Sequence, residues 1–159
     1  MDMEETLGTV RSFDGVLVLA PDEGSGAPEL AWGDVFVYHS PDGRVPTNVQ
    51  PYATIVTKDY PDDRESDLDP EGRWRVNIHV GRARLAELAA DEPGTHDPSE
   101  ADVVLPHPVY GSLGWVAVVN PGQRTGALVL ELLGEAHEAA RRRAARRSVA
   151  RPDGVSPGP

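Results

Sequence analysis

An α+β domain, with a single antiparallel β-sheet flanked by helices on one face and a long C-terminal helix, is the fold this sequence predicts. Three observations carry it. Residues Trp74 to Val80 alternate apolar and polar side chains without a miss, the period-two pattern of a strand with one buried face. Short strand signals cluster between helical patterns rather than alternating regularly with them, which disfavours a parallel βαβ sheet. Near the C-terminus Leu128, Leu132, Leu133, Ala136 and Ala140 recur at helical spacing.

In chain order, Met3, Leu7 and Val10, with Phe13 closing the stripe and Asp2 as N-cap, predict a helix over 3–13 that Gly15 ends. Val16 to Ala20 is a short apolar strand, and Pro21 to Pro28 is a loop rich in Gly, Pro and Asp. Strand signals resume at Leu30 to His39. The turn chemistry of Ser40-Pro41-Asp42-Gly43 then predicts a hairpin whose return runs over Arg44 to Asn48. Another strand is expected from Tyr52 to Lys58. With seven acids and two prolines, Asp59 to Gly72 is expected to be a solvated connection.

After the 74–80 strand, Gly81 leads into a helix over about 82–90 that buries Leu85 and Leu88, and a polar mobile loop over Asp91 to Asp102 follows. Leu105 to Gly111 is too proline-broken for a central strand and is expected to be a shaped loop. Gly114 to Asn120, nearly all apolar, belongs inside the sheet. The last helix is expected to start from Thr125 as N-cap and to run to about Arg147. Residues 1–148 thus form one domain, and 149–159 form a disordered tail.

Composition excludes several classes of function. There is no cysteine, hence no disulfide, thiolate nucleophile or Cys-ligated zinc. No apolar run approaches the ~20 residues of a membrane span and the N-terminus lacks the order of a secretory signal, so a cytoplasmic protein is expected. Residues 1–140 hold nine Lys and Arg against 25 Asp and Glu, a net of −16, whereas residues 141–159 hold six Arg against Asp153, a net of +5. Such a body repels phosphates, which disfavours nucleic acid as a partner; only the Arg-rich helix end attracts it.

Four stretches carry a resemblance to a known family: Trp32 to Tyr38, Asn48 to Lys58, Trp74 to Arg82, and Pro106 to Gly111 with Gly114-Trp115-Val116. Over about residues 4–140 the chain resembles an actinobacterial family known only as a domain of unknown function. More distantly, the order of a first helix, a meander, a strand running into a Leu-bearing helix, and a Gly-Trp-Val strand before a long helix is similar to the MmcQ/YjbR-like domains. That resemblance implies a CyaY-like sheet with helices on one face and brings no activity with it. Some MmcQ/YjbR-like proteins are suspected of binding DNA, against which the acidic body weighs.

Candidate chemistry lies in two places. Arg75, Asn77 and His79 form a polar row about 7 Å apart on the sheet face expected to be open. Asn48, Gln50, Thr54 and Lys58, the only lysine, fall on or beside a neighbouring strand. His107 stands between Pro106 and Pro108, with Tyr110 three residues on, so a rigid loop presents an imidazole and a phenol. The expected acid-base residues are therefore His79, His107, Lys58 and Tyr110. Arg75, Asn77, Asn48, Gln50, Tyr52 and Trp115 are the expected substrate contacts.

Asp63, Glu65, Asp67 and Asp69 alternate as in a calcium loop, but Leu68 stands where such a loop needs glycine, so no metal is expected. No cofactor motif is present. The function expected is binding of a small molecule, with cofactor-independent proton transfer, isomerisation or cyclisation on an anionic or carbonyl substrate as its enzymatic form. The alternative is a protein-interaction module using the sheet face or the Arg-rich helix end. A homodimer is compatible with either, and a membrane partner with neither.

Overall fold

The period-two pattern of 74–80 is realised in a six-stranded sheet. In the computed structural model, which describes residues 1–91 and 94–150, the strands are β1 (Val16–Leu19), β2 (Val35–His39), β3 (Ala53–Val56), β4 (Arg75–His79), β5 (Leu105–Pro106) and β6 (Trp115–Val119). They lie in the order β1-β2-β3-β4-β6-β5, and every pairing between them is antiparallel. Three α-helices accompany them among the described residues: α1 (Met3–Arg11), α2 (Arg82–Asp91) and α3 (Gly126–Ala150). No helix among these residues is long and apolar enough to cross a membrane.

Register sorts the side chains into two faces. Val35, Ile55, Val76 and Val118 are paired in a row across β2, β3, β4 and β6, and so are Val37, Ala53, Ile78 and Val116. These rows form the core with Leu7 and Val10 of α1 and Val129, Leu132, Leu133 and Ala136 of α3. Each large side chain so buried contributes about 1.5–3 kcal/mol. The alternate rows, Phe36-Thr54-Asn77-Ala117 and Val56-Arg75-Val119, face the other way.

Several expectations are corrected. The first helix stops at Arg11, and the segment before β2 forms a 3-10 turn at Glu29–Ala31, with strand geometry beginning only at Val35. No return strand forms over 44–48. The Ser40 hydroxyl donates to the Arg44 carbonyl and the Asp42 carboxylate accepts the Arg44 amide, closing a tight turn, so β2 is partnered instead by β3. Leu105-Pro106 pairs as a short edge strand, where proline is tolerated, leaving β6 interior. Residues 149 and 150 extend α3, and the rest of the expected tail, 151–159, lies outside the described residues.

The largest correction concerns residues 59–72, which are folded down on the second face and not merely solvated. Ser66 and Leu68 are each only 1% exposed. Leu68 joins Val56, Val119 and Tyr60 in a small second core. The Asp59 carboxylate accepts the Leu68 amide, the Asp69 carboxylate accepts the Asp59 amide, and Arg73 donates to the carbonyls of Ser66, Asp67 and Ser99. The face expected to be open is therefore walled by loops.

Two local devices hold the sheet to its surroundings. Gly114 has φ +88°, and its carbonyl accepts the amides of both Val80 and Gly81; a Cβ there would stand 2.8 Å from the Gly81 carbonyl carbon. At the start of α3, Asp102 does the capping. Its carboxylate accepts the amides of Gly122, Arg124 and Thr125 and the Thr125 hydroxyl, so Thr125 is a partner of the cap and not the cap itself. Burial alone would raise the Asp102 pKa, but the Thr125 hydroxyl and the three amides outweigh it and hold the carboxyl at about 2.

Asp102→Ala is expected to lower stability by about 1–2 kcal/mol, read as a lower urea midpoint at unchanged slope. Because the folded pKa is depressed, the native advantage is complete above the unfolded value and fades as pH falls towards 2. The gap between wild type and variant should therefore narrow between about pH 4 and 2.

Candidate functional site

Loops from 28–32, 57–63 and 107–115 wall a cleft of about 870 Å³ on the second face of the sheet. Its floor is a buried polar network around Arg75. The guanidinium is 1% exposed and forms a fork with Asp63, Nη1 donating to Oδ1 at 3.0 Å and Nη2 to Oδ2. Nη1 also donates to Ser66 Oγ (2.9 Å) and Nε to Asn77 Oδ1 (2.7 Å), and Asn77 Nδ2 donates to Thr54 Oγ1 (2.9 Å).

His107 completes the network with an assignable tautomer. Its Nδ1 accepts the backbone amides of Val109 and Tyr110, both at 3.0 Å, so the proton of the neutral ring sits on Nε2. That atom lies 3.7 Å from Asp63 Oδ2 and 3.1 Å from Arg75 Nη2. The second of these is a close approach of two donors, since neither nitrogen offers a lone pair to the other. Burial, and then the adjacent guanidinium, push the His107 pKa well below the imidazole range against the pull of Asp63. For Asp63, burial pulls upward, but the hydrogen bonds and charge of Arg75, with a contribution from His107, hold it below the usual carboxylate range. At neutral pH the floor is therefore an ion pair beside an uncharged ring.

A second node braces the wall. Asp34, fully buried, accepts the Thr57 amide and hydroxyl, each at 2.8 Å, and the Tyr60 phenol. Lys58 Nζ lies 3.1 Å from Asp34 and donates to the Trp32 carbonyl at 2.7 Å. Burial first, then the bond to Asp34, push the Tyr60 phenol far up.

Across residues 1–149 the sequence matches the model of a family of unknown function, DUF6194. The chain belongs to that family. Neither a curated protein nor a solved structure matches it. The arrangement described here is thus the chemistry that a DUF6194 chain brings together, and it rests on the geometry alone.

Of the ten site residues expected from the sequence, Gln50, Arg75, Asn77, His107, Tyr110 and Trp115 line the cleft of this DUF6194 protein. The other four do not. Lys58 is held against Asp34 behind the wall. His79 stands at the end of β4, its ring 5.5 Å from that of Trp115. Its pKa is pushed down by burial and Arg143, against the Leu113 backbone. Tyr52 lies in the core on the opposite face, where its hydroxyl donates to His137 Nδ1 at 2.9 Å and His137 Nε2 donates to the Asp14 carbonyl. Asn48 is in an exposed loop at φ +59°.

The sequence did not point to Asp63, Ser66, Asp34, Tyr60, Phe36 or Tyr38 as site residues. Phe36 and Tyr38 were findable, because they alternate with Val35 and Val37 and so must face away from the core. Among the described residues no three His, Asp or Glu side chains converge as a metal site. Of the four acids that resemble a calcium loop, Asp63 is turned to Arg75 and Asp69 to a backbone amide.

Arg75→Met leaves Asp63, with its side chain 13% exposed, as an unpaired charge and is expected to cost about 3–5 kcal/mol in urea unfolding. The Arg75→Met/Asp63→Leu double variant is expected to recover most of that loss. Because the His107 pKa is depressed in the fold, wild-type stability should decline as pH falls below about 6.5, where the unfolded imidazole takes up a proton that the folded one refuses. His107→Gln should show a shallower slope between about pH 6.5 and 5.

Proposed function

We propose that the cleft on the second face of the sheet is a small-molecule binding site. The observation that carries this is the combination of volume and finish: a concavity of about 870 Å³ whose aromatic wall, including Phe36, Tyr38 and Trp115, stands over a floor with its hydrogen bonds already made. Pockets for small ligands have this mixture of apolar walls and a few fixed polar groups. A floor assembled before the ligand arrives also spares the cost of ordering it on binding.

Binding is better supported than acid-base turnover. The lone pair of His107 is taken by two amides, Lys58 is held behind the wall, and His79 lies off the cleft. Of the four acid-base residues expected from the sequence, Tyr110, 45% exposed at the lip, is the one that lines the cleft with no side-chain hydrogen bond among the described residues.

A second reading has its own support. Leu30, Val109, Tyr110 and Leu113 are 40–54% exposed, and three of them lie along the cleft, as an interaction surface would have them. The Arg-rich end of α3 supports nucleic acid less, because Glu138 pairs with both Arg141 and Arg142.

Fragment screening by amide NMR on the full chain tests the choice. Ligands are expected to shift resonances of Asn77, Gln50 and the Trp115 indole, and Trp115→Ala and Phe36→Ala should each weaken binding about tenfold or more. Tyr52→Phe, on the other face, should leave affinity unchanged. If no fragment reaches these residues, and Leu30→Ser/Leu113→Ser instead abolishes a protein contact, the interaction module replaces the ligand site.

A further inference from the structure

Resting on the reading of the cleft as a ligand site, we infer that its ligand is a cation on an aromatic or apolar body, of the arylalkylamine class. The first ground is that the cleft has no cation left to offer an anion. Four of the five N–H groups of Arg75 are bonded, Asn77 taking one, Ser66 one and Asp63 two, and the fifth faces the His107 Nε2–H within a floor where the arginine is only 1% exposed. The Lys58 ammonium lies against Asp34 and the Trp32 carbonyl. His107 is neutral by its tautomer. A carboxylate or phosphate entering here would meet a neutralised floor inside a body of net charge −16 over residues 1–140.

The second ground is what remains available. Asp62 lines the cleft, is exposed and forms no hydrogen bond or ion pair among the described residues. Asp63 accepts one bond at each oxygen from Arg75, which leaves lone pairs on a carboxylate that lines the cleft. Phe36, Tyr38, Tyr60 and Trp115 line the same cleft, and aromatic ring faces carry the negative quadrupole that attracts a cation. Tyr60 already has an ammonium near its face, with Lys58 Nζ 5.9 Å from the ring centroid. Acceptors and π-faces are thus the groups in surplus, and an ammonium on an aromatic tail is the chemistry that uses both.

Three probes that share an arene and a short chain but differ in charge test this on the full-length protein: phenethylammonium, 3-phenylpropanamide and 3-phenylpropanoate. Titrations at about pH 7.5 and about 150 mM salt are followed by amide NMR and by tryptophan fluorescence, with Trp115→Phe identifying the cleft signal. Phenethylammonium is expected to bind about tenfold or more tighter than 3-phenylpropanoate, with the amide between them. Asp62→Asn, a surface change, should cut that preference about threefold while leaving the amide unaffected. If the amide or the anion binds at the same residues as tightly as the amine, the charge inference is overturned and the ligand site stands. If none of the three perturbs Trp115, Asn77 or Gln50, both are overturned.

Discussion

The buried guanidinium of Arg75 is the constraint to which the whole second face answers. Removing such a charge from water costs several kcal/mol unless charge and hydrogen bonds replace its hydration. The replacement here comes from two stretches of chain, Asp63 and Ser66 from the loop after β3 and Asn77 from the same strand, while His107 from the loop before β6 closes against the guanidinium at 3.1 Å. A segment with seven acids is thereby drawn down onto the sheet, and the wall of the cleft exists because of it. With the ion pair made inside the protein, the floor presents shape and polarity to the cleft rather than free charge.

The two faces of the sheet divide the work. Valine and isoleucine rows of one face meet α1 and α3, a packing made of interchangeable apolar contacts. The other face is covered mainly by loops, tied by side chain to backbone bonds such as those of Asp59, Asp69 and Arg73. Asp102 joins the two systems, since its carboxylate fixes the turn that launches α3 while its own amide is bonded to the Val119 carbonyl in β6. The main apolar core thus lies on one side of the sheet and the cleft on the other.

Periodicity made most of the fold readable. The alternation at Trp74 to Val80 identified the middle strand and the side chains on each of its faces, and the Leu stripe after Thr125 identified α3. What failed were inferences from polarity. Asp59 to Gly72 has the composition of a solvated loop, and nothing local in it says that a guanidinium some ten residues later will bind it down; that contact is tertiary. Asn48 and Lys58 were placed by proximity to a strand, yet one lies in a loop at positive φ and the other meets a carboxylate 24 residues earlier. Tyr52 was a matter of register, because pairing with β2 and β4 turns it to the helical face. Arg75 and Asn77 followed from strand parity and His107, Tyr110 and Gln50 from loop chemistry and proximity, whereas Asp63 and Ser66 depend on long-range pairing that one sequence does not display.

The approach of Gly114 to Gly81 lines no part of the cleft, and its consequence is for how sequence change at a distance is felt. Two peptide planes there lie closer than any side chain permits, with Trp115 directly after Gly114 and His79 two residues before Gly81. A methyl group added at this pinch would act as a wedge between the ends of two neighbouring strands. The ring that walls the cleft would swing with its strand, so the shape of the cleft would change through a position that does not line it. In this protein, intolerance to substitution is a map of leverage as much as of chemistry.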